Sequence, residues 1–400
     1  MRTPHIIACS IVTAGALLLP AAASAQPAPA ASQRAPAASQ PAPAASQPPR
    51  LQQAAFTSPQ RGYGLFNLLG SRVCRAEVAA TADGGARFGR AHVAARWSCD
   101  GNQPVARIAA DNAGDVFVFG PALAVSHDHG RSWTPMRVGD TLALSAVGRS
   151  VWLLTARCTG HGTAADRCPV RLLVSADGGR SWRQARLPGA TVAGFGSQVV
   201  GQADLVRTSK AAGYVLTSPG VNSRGKPDVA RIWITSNGGA SWARHAVPCG
   251  LDALSAALAV APTGRIFVAC ASEPSAGSQP KTLASSPDGS TWTVRSPCAH
   301  GTMFCPPLSL GYLSQIAATS NGTVFLVGPR SSLLVTRNAG RTWRTVKPLI
   351  GDDGGGTSSV AFFGQRGIVV GNDPANNEFP AIWHTADGGT HWHVVHPAIS

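Results

Sequence analysis

Charge is scarce in this 400-residue chain: 13% of residues are charged, three are glutamates (Glu77, Glu273, Glu378) and four are lysines (Lys210, Lys226, Lys281, Lys347). So little charge excludes an acidic, self-repelling disordered chain as the bulk of the protein. Aromatic residues are also few, at 6%, which argues against a long groove of rings for stacking on sugars. No run beyond the first 25 residues reaches the roughly 18 uninterrupted apolar residues needed to cross a bilayer, so no transmembrane segment is expected. Cys-x-x-Cys spacing is absent, which removes the commonest zinc-ligand pair, and neither a metal nor a cofactor is expected. The net charge is +15, yet no basic run exceeds two residues and none alternates with aromatics, so nucleic acid is not an expected partner.

The chain opens with a processing signal. Arg2 gives a basic start, 6–19 is a mostly apolar run, and Ala23-Ser24-Ala25 is a small-residue cleavage pattern before Gln26. Residues 1–25 read as a secretory signal peptide, which places the mature chain outside the cytoplasm. Residues 26–50 then repeat Pro-Ala-Pro-Ala-Ala-Ser-Gln three times, with Arg34 replacing one proline. Such a composition favours extended chain and buries too little side chain to fold, so this stretch is expected to be a disordered spacer ahead of a folded domain at 51–400.

Eight cysteines follow the signal peptide: Cys74, Cys99, Cys158, Cys168, Cys249, Cys270, Cys298 and Cys305. An even number in a secreted chain implies disulfides. Pairing of sequence neighbours (74–99, 158–168, 249–270, 298–305) is the simplest connectivity.

From residue 51 onward one octapeptide recurs, Ser/Thr-x-Asp/Asn-x-Gly-x-x-aromatic. Five copies are regular, with Asp128 and Trp133, Asp177 and Trp182, Asn237 and Trp242, Asn338 and Trp343, and Asp387 and Trp392 at the third and eighth positions. Two depart from it: Asp83 leads to Phe88 instead of tryptophan, and in Ser285-Ser-Pro-Asp288-Gly-Ser-Thr-Trp292 the aspartate stands one place late. The aromatic positions are 45, 49, 60, 50, 51 and 49 residues apart. Each copy encodes a tight turn: the Asp or Asn side chain accepts from nearby backbone N–H groups, glycine supplies a backbone conformation that a Cβ disfavours, and the aromatic anchors the next strand. Around each turn lie short apolar runs, such as 315–319, 323–327, 333–336 and 342–346. Four strands per repeat of about 50 residues is the pattern of propeller blades, which stack because one blade cannot bury its faces alone.

These octapeptides resemble the Asp boxes, or BNR repeats, of the sialidase-like propeller superfamily, over all of the chain after the spacer. The count of seven, and the Thr-Ala-Asp-Gly-Gly phrases at 81–85 and 385–389, are most similar to the seven-bladed photosystem II assembly-factor-like group. The resemblance implies an all-β, seven-bladed β-propeller of four-stranded antiparallel blades, with the octapeptides as turns between strands c and d. It implies a fold more than an activity.

Antiparallel strands a to d put the a–b and c–d turns on one face and the b–c loops and inter-blade links on the other. The octapeptide carboxylates Asp83, Asp128, Asp177, Asp288 and Asp387 are read as structural. All eight cysteines fall on the second face, as do the longest b–c loops, 159–167, 218–227, 272–280 and 372–379. Binding candidates there are Asp166, Arg167, Arg224, Asp228, Glu273, Asp352, Asp353, Asp373 and Glu378. The expected function is non-catalytic: a secreted, monomeric binding or assembly module whose partner is an extracytoplasmic protein or an anionic wall polysaccharide. The rival is an extracellular glycoside hydrolase. Resemblance to sialidases implies an arginine triad, a tyrosine nucleophile and an early Arg-Ile-Pro segment; no Arg-Ile-Pro occurs, and Tyr63, Tyr214 and Tyr312 stand in or beside expected strands. A two-carboxylate, xyloglucanase-like site would draw on Glu77, Glu273, Asp373 and Glu378.

Overall fold

The computed structural model describes residues 50–68, 73–98, 106–158, 166–195, 198–199, 201–218, 229–250, 253–273, 278–295, 308–346, 356–373 and 376–399. Among them every regular element is a strand and none is a helix. The expected signal peptide and spacer lie outside this set except for Arg50, which belongs to the first strand and not to the spacer.

Seven four-stranded antiparallel sheets follow one another in chain order. Blade one is Arg50–Phe56, Gly62–Leu68, Val73–Thr81 and His92–Ser98. Blade two is Arg107–Ala110, Val116–Phe119, Leu123–Ser126 and Thr134–Met136. Blade three is Asp140–Val147, Ser150–Ala156, Asp166–Ser175 and Arg183–Ala185. Blade four is Ala203–Arg207, Gly213–Thr217, Arg231–Thr235 and Ala243–Ala246. Blade five is Ala253–Val260, Ile266–Ser272, Lys281–Ser286 and Thr293–Arg295. Blade six is Gln315–Ala318, Val324–Gly328, Ser331–Thr336 and Arg344–Thr345. Blade seven is Thr357–Phe363, Arg366–Asp373, Asn376–Thr385 and His393–Val395.

Sequence pattern explains the order within a blade. Strands b, covered on both faces, are continuous apolar runs such as Val116-Phe-Val-Phe119, as expected of doubly buried strands. Outside blade one, whose strand d runs seven residues, strands d are two to four residues long and mostly exposed, which blunts the outer edge against pairing with other chains. The apolar cores lie between blades: Phe117, Phe119 and Val125 of blade two pack with Leu144, Val151 and Leu153 of blade three, and Trp152 and Leu172 of blade three pack with Val215 and Trp233 of blade four. Closure has the same form, Leu51, Phe66 and Phe88 of blade one meeting Ile368, Val370 and Ile382 of blade seven. A two-residue parallel ladder joins Ala398–Ile399 to Arg87–Phe88, and the Gly84 carbonyl lies 2.9 Å from His384 Nε2. The innermost strands are also cross-tied, Asp204 Oδ2 of blade four accepting the Leu258 N–H of blade five at 2.9 Å.

The octapeptides form the c–d turns. In blade three the Ser175 hydroxyl donates to Asp177 Oδ1 and accepts from Gly179 N–H, both at 2.7 Å. Asp177 accepts the Arg180 and Ser181 N–H groups at 3.0 Å and the Ser181 hydroxyl at 2.5 Å, Gly179 stands at φ +89°, and Trp182 Nε1 donates to the Gly179 carbonyl at 2.9 Å. Asn237 and Asn338 reproduce the arrangement, with the amide nitrogen donating to the Ser241 and Thr342 hydroxyls. The fourth residue of each regular turn docks on the a–b turn of its own blade; the N–H groups of Gly178, Gly238, Ala339 and Gly388 donate to the carbonyls of Arg149, Ala211, Gly322 and Gln365 at 2.8 Å, and that of His129 to the Gly114 carbonyl at 3.3 Å.

Four details differ from the sequence reading. In blade five the turn hydroxyl is Ser286, not Ser285: Ser286 donates to Asp288 and accepts from Gly289 N–H at 2.7 Å, so Asp288 is in place and the turn is one residue shorter. In blade one Phe88 does not open strand d, which starts at His92; Phe88 is fully buried and packs edge-on against Phe66 at 5.6 Å. Glu77 lies in the middle of strand c of blade one, away from any loop. The stretch 372–379 is not an open loop, because strand b runs to Asp373 and strand c resumes at Asn376, with Asp373 opposite Asn376. Blade three also carries an addition, Thr191–Phe195 and Gln198–Val199, that lengthens the sheet beside 166–169.

Candidate functional site

The face of b–c loops and inter-blade links is held together by covalent and buried polar ties. Cys158 and Cys168 are bonded across the b–c connection of blade three, and Cys249 and Cys270 join the link leaving blade four to the end of strand b in blade five. Cys74, at the start of strand c in blade one, is also disulfide-bonded. Cys99, Cys298 and Cys305 lie outside the described residues. Disulfides of this kind persist in oxidising compartments.

A second tie uses a buried cation. Lys281 opens strand c of blade five and is 1% exposed; its Nζ donates to the carbonyls of Gln279, Leu308, Leu310 and Gly311 at 2.8–3.0 Å. Burial pushes its pKa down to about 7, while the ring of carbonyl dipoles is arranged to receive ammonium protons. Gln279 works beside it: Nε2 donates to the Ser272 carbonyl and Oε1 accepts the Leu313 N–H, each at 2.8 Å. Together they fasten the b–c segment of blade five to the chain entering blade six.

At the junction of blades seven and one, Asp373 Oδ2 accepts from His396 Nε2 at 2.7 Å. The carboxylate is buried and the imidazole stands at the rim, 60% exposed. Beside the end of that strand is a small cleft of about 150 Å³ bordered by Arg50, Gln52, Ser358, Asn372 and Pro380.

The structure thus distributes the sequence candidates unevenly. Glu273 is exposed at the start of the blade-five loop, Arg167 is exposed and its Nη1 donates to Thr191 Oγ1 at 3.1 Å, and Asp373 is paired as above. Glu77 Oε1 meets Arg75 Nε at 2.9 Å. Asp166 and Glu378 stand in strands c of blades three and seven, their side chains outside the described set, as are Arg224, Asp228, Asp352 and Asp353 altogether. Sequence reasoning missed Lys281, Gln279 and His396, each a single residue outside any motif. Among the described residues no three His, Cys, Asp or Glu side chains gather as a metal site, and no helix is long and apolar enough to cross a membrane.

On the opposite face the turn carboxylates are occupied. Hydrogen bonds from Ser132, Ser181 and the His391 N–H hold Asp128, Asp177 and Asp387 well below the usual carboxylate range. Those from Ser290 and Thr291 N–H hold Asp288 at about 2, and the Arg87 N–H lowers Asp83. Such groups stay ionised and turned toward their own backbone, unsuited to proton transfer near neutrality.

No family model matches the chain, and no curated protein sequence matches it. Solved structures do resemble it. YCF48 from Cyanidioschyzon merolae gives a TM-score of 0.50 at 18% identity, covering 81% of this chain and 93% of that one. A structure described as YCF48 bound to D1 peptide gives 0.44 at 17% identity, covering 71% and 78%, and the GH74 enzyme of Niastella koreensis gives 0.48 at 12%, covering 87% of this chain and 60% of that one. At these identities the likeness is one of fold alone; the seven blades of this β-propeller are counted from its own sheet order.

Proposed function

We propose that the chain is a secreted, non-catalytic binding or assembly propeller of the Asp-box type, carried on a Pro/Ala-rich spacer, which recognises an extracytoplasmic protein or glycan through its b–c and inter-blade loop face. The observation that carries this reading is the fastening of that face by Cys158–Cys168, Cys249–Cys270 and the Lys281 carbonyl cage. Loops fixed before a partner arrives lose less conformational freedom on binding, which favours affinity. Of the described carboxylate candidates, Glu77 lies against Arg75 and Asp373 against His396, and Glu273 stands exposed.

The test compares two variants of the mature chain against a panel of envelope proteins and glycans. One removes loop-face groups (Arg167→Ala, Glu273→Ala, His396→Ala) and the other removes exposed turn-face groups (Arg131→Ala, Arg366→Ala). Loss confined to the first supports the reading. Loss confined to the second places recognition on the wrong face and overturns it.

A further inference from the structure

On the turn face, blades five and six meet in a cleft of about 400 Å³ bordered by Arg265, Arg295 and Arg341, with Ser285, Asn321 and Asn338. Arg265 immediately precedes strand b of blade five, Arg295 ends its strand d, and Arg341 is the sixth residue of the blade-six octapeptide. Among the described residues no ion pair reaches any of the three. Arg265 Nη2 makes one long hydrogen bond, 3.4 Å to Ser285 Oγ, and its Nε is buried with no acceptor.

The repeat provides an internal comparison. In the junction of blades two and three, the place of Arg265 is held by Asp115, as Asp111-Asn-Ala-Gly-Asp115 aligns with Ala261-Pro-Thr-Gly-Arg265, and the place of Arg341 is held by Arg180. There Asp115 Oδ1 lies 2.8 Å from His127 Nδ1 and 3.9 Å from Arg180 Nη1. The position that brings a carboxylate to an arginine in one junction brings a further arginine in the other. Arginine cannot shed its proton to relieve the repulsion, and among the described residues no carboxylate supplies the counter-charge.

The dimensions and lining narrow the ligand. A volume of this order suits a sugar-sized molecule (roughly 300–1,000 Å³) and exceeds what a lone inorganic anion fills. The cleft border carries hydroxyls, the Asn321 carboxamide and no aromatic ring, the Asn338 carboxamide being taken up by its own turn, which fits a ligand with both hydroxyls and an anionic group. Guanidinium forks match carboxylate and sulfate oxygens in pairs. We propose that this cleft binds an acidic sugar unit of an anionic polysaccharide, its carboxylate or sulfate held by Arg265, Arg295 and Arg341. The site lies on the face opposite the loop face and stands or falls independently of the function proposed there.

Titration calorimetry of the mature chain at about 0.15 M salt tests it with oligogalacturonate, a heparin oligosaccharide, neutral dextran oligomers and poly-glutamate. The cleft variant is Arg295→Gln/Arg341→Gln, whose side chains make no hydrogen bond among the described residues, and melting curves check that it folds. The control, Arg183→Gln/Arg366→Gln, removes the same charge from exposed positions outside the cleft. We expect one or both acidic oligosaccharides to bind and dextran not to, the uronate and sulfate arms telling which group is held. The cleft variant should lose about tenfold or more in affinity and the control less than about twofold. Failure of both acidic sugars to bind overturns the proposal; so does equal loss in the control, which would make the effect one of net charge, or equally tight binding of poly-glutamate, which would make the site one for acidic peptide.

Discussion

At the scale of single residues, two kinds of polar group secure the fold. Turn carboxylates such as Asp288 and Asp177 are more acidic folded than unfolded, so their contribution is complete above the ordinary value of 3.8 and is lost as pH falls through the folded value, about 2 for Asp288. We therefore expect the melting temperature to drop between pH 4 and pH 2, and to drop less in Asp177→Asn/Asp288→Asn, because asparagine already fills this place in blades four and six. An acid profile unchanged by the double substitution would show that these turns are not the titrating groups. Lys281 is a different case, an amine held inside by four carbonyls with its pKa lowered by burial to about 7. Lys281→Met leaves the buried carbonyls of Gln279, Leu308 and Gly311 without this donor, and at about 1–3 kcal/mol for each stranded buried group a loss of at least about 3 kcal/mol is expected in chemical denaturation. Lys210→Met, at an exposed position, should be close to neutral.

At the scale of elements, the disulfides and turns differ in how they act. Cys249–Cys270 spans 21 residues, and cross-links closing loops of that size contribute roughly 3 kcal/mol by limiting the unfolded chain. Cys249→Ala/Cys270→Ala should lose about that much, and peptide mapping without reduction should recover both this pair and Cys158–Cys168; free thiols at these four positions would undo the account of a fastened face. Much of the architecture was legible because each octapeptide contains its own turn: hydroxyl, carboxylate or carboxamide, glycine and aromatic ring lie within eight residues, so the seven blades could be counted without knowing any long-range contact. Blade five shows the limit of that reading. Two adjacent serines offered two frames, and only the hydrogen bond from Ser286 to Asp288 chooses between them. Phe88 misled for a related reason, since what fixes it is Phe66 and the chain end beside it, both far away in sequence. The 372–379 stretch looked like a loop because of its Asn, Asp and Pro, yet pairing with strand b draws it into a hairpin. The candidate site was least legible: His396 meets Asp373 across 23 residues, and Lys281 meets Leu310 across 29, separations that leave no local signature.

At the scale of the whole molecule, the blades are bound to one another by apolar surfaces that no single blade could bury, and the ring closes by the same packing between blades one and seven, with Ala398–Ile399 laid beside Arg87–Phe88. Such a scaffold keeps both faces fixed while their loops vary. One face carries disulfides, the Lys281 cage and the Asp373–His396 pair; the other carries self-satisfied turns, interrupted by the arginine cleft between blades five and six. Function through the first face without chemistry is the central claim, and the most direct test incubates the mature chain with sialosides, β-glucans, wall polysaccharides and envelope proteins, reading bound fraction and released products together by mass spectrometry. The account predicts a bound partner and no product. Product release that is abolished by Glu273→Gln, Asp373→Asn or Glu378→Gln would contradict it and make the propeller a glycoside hydrolase.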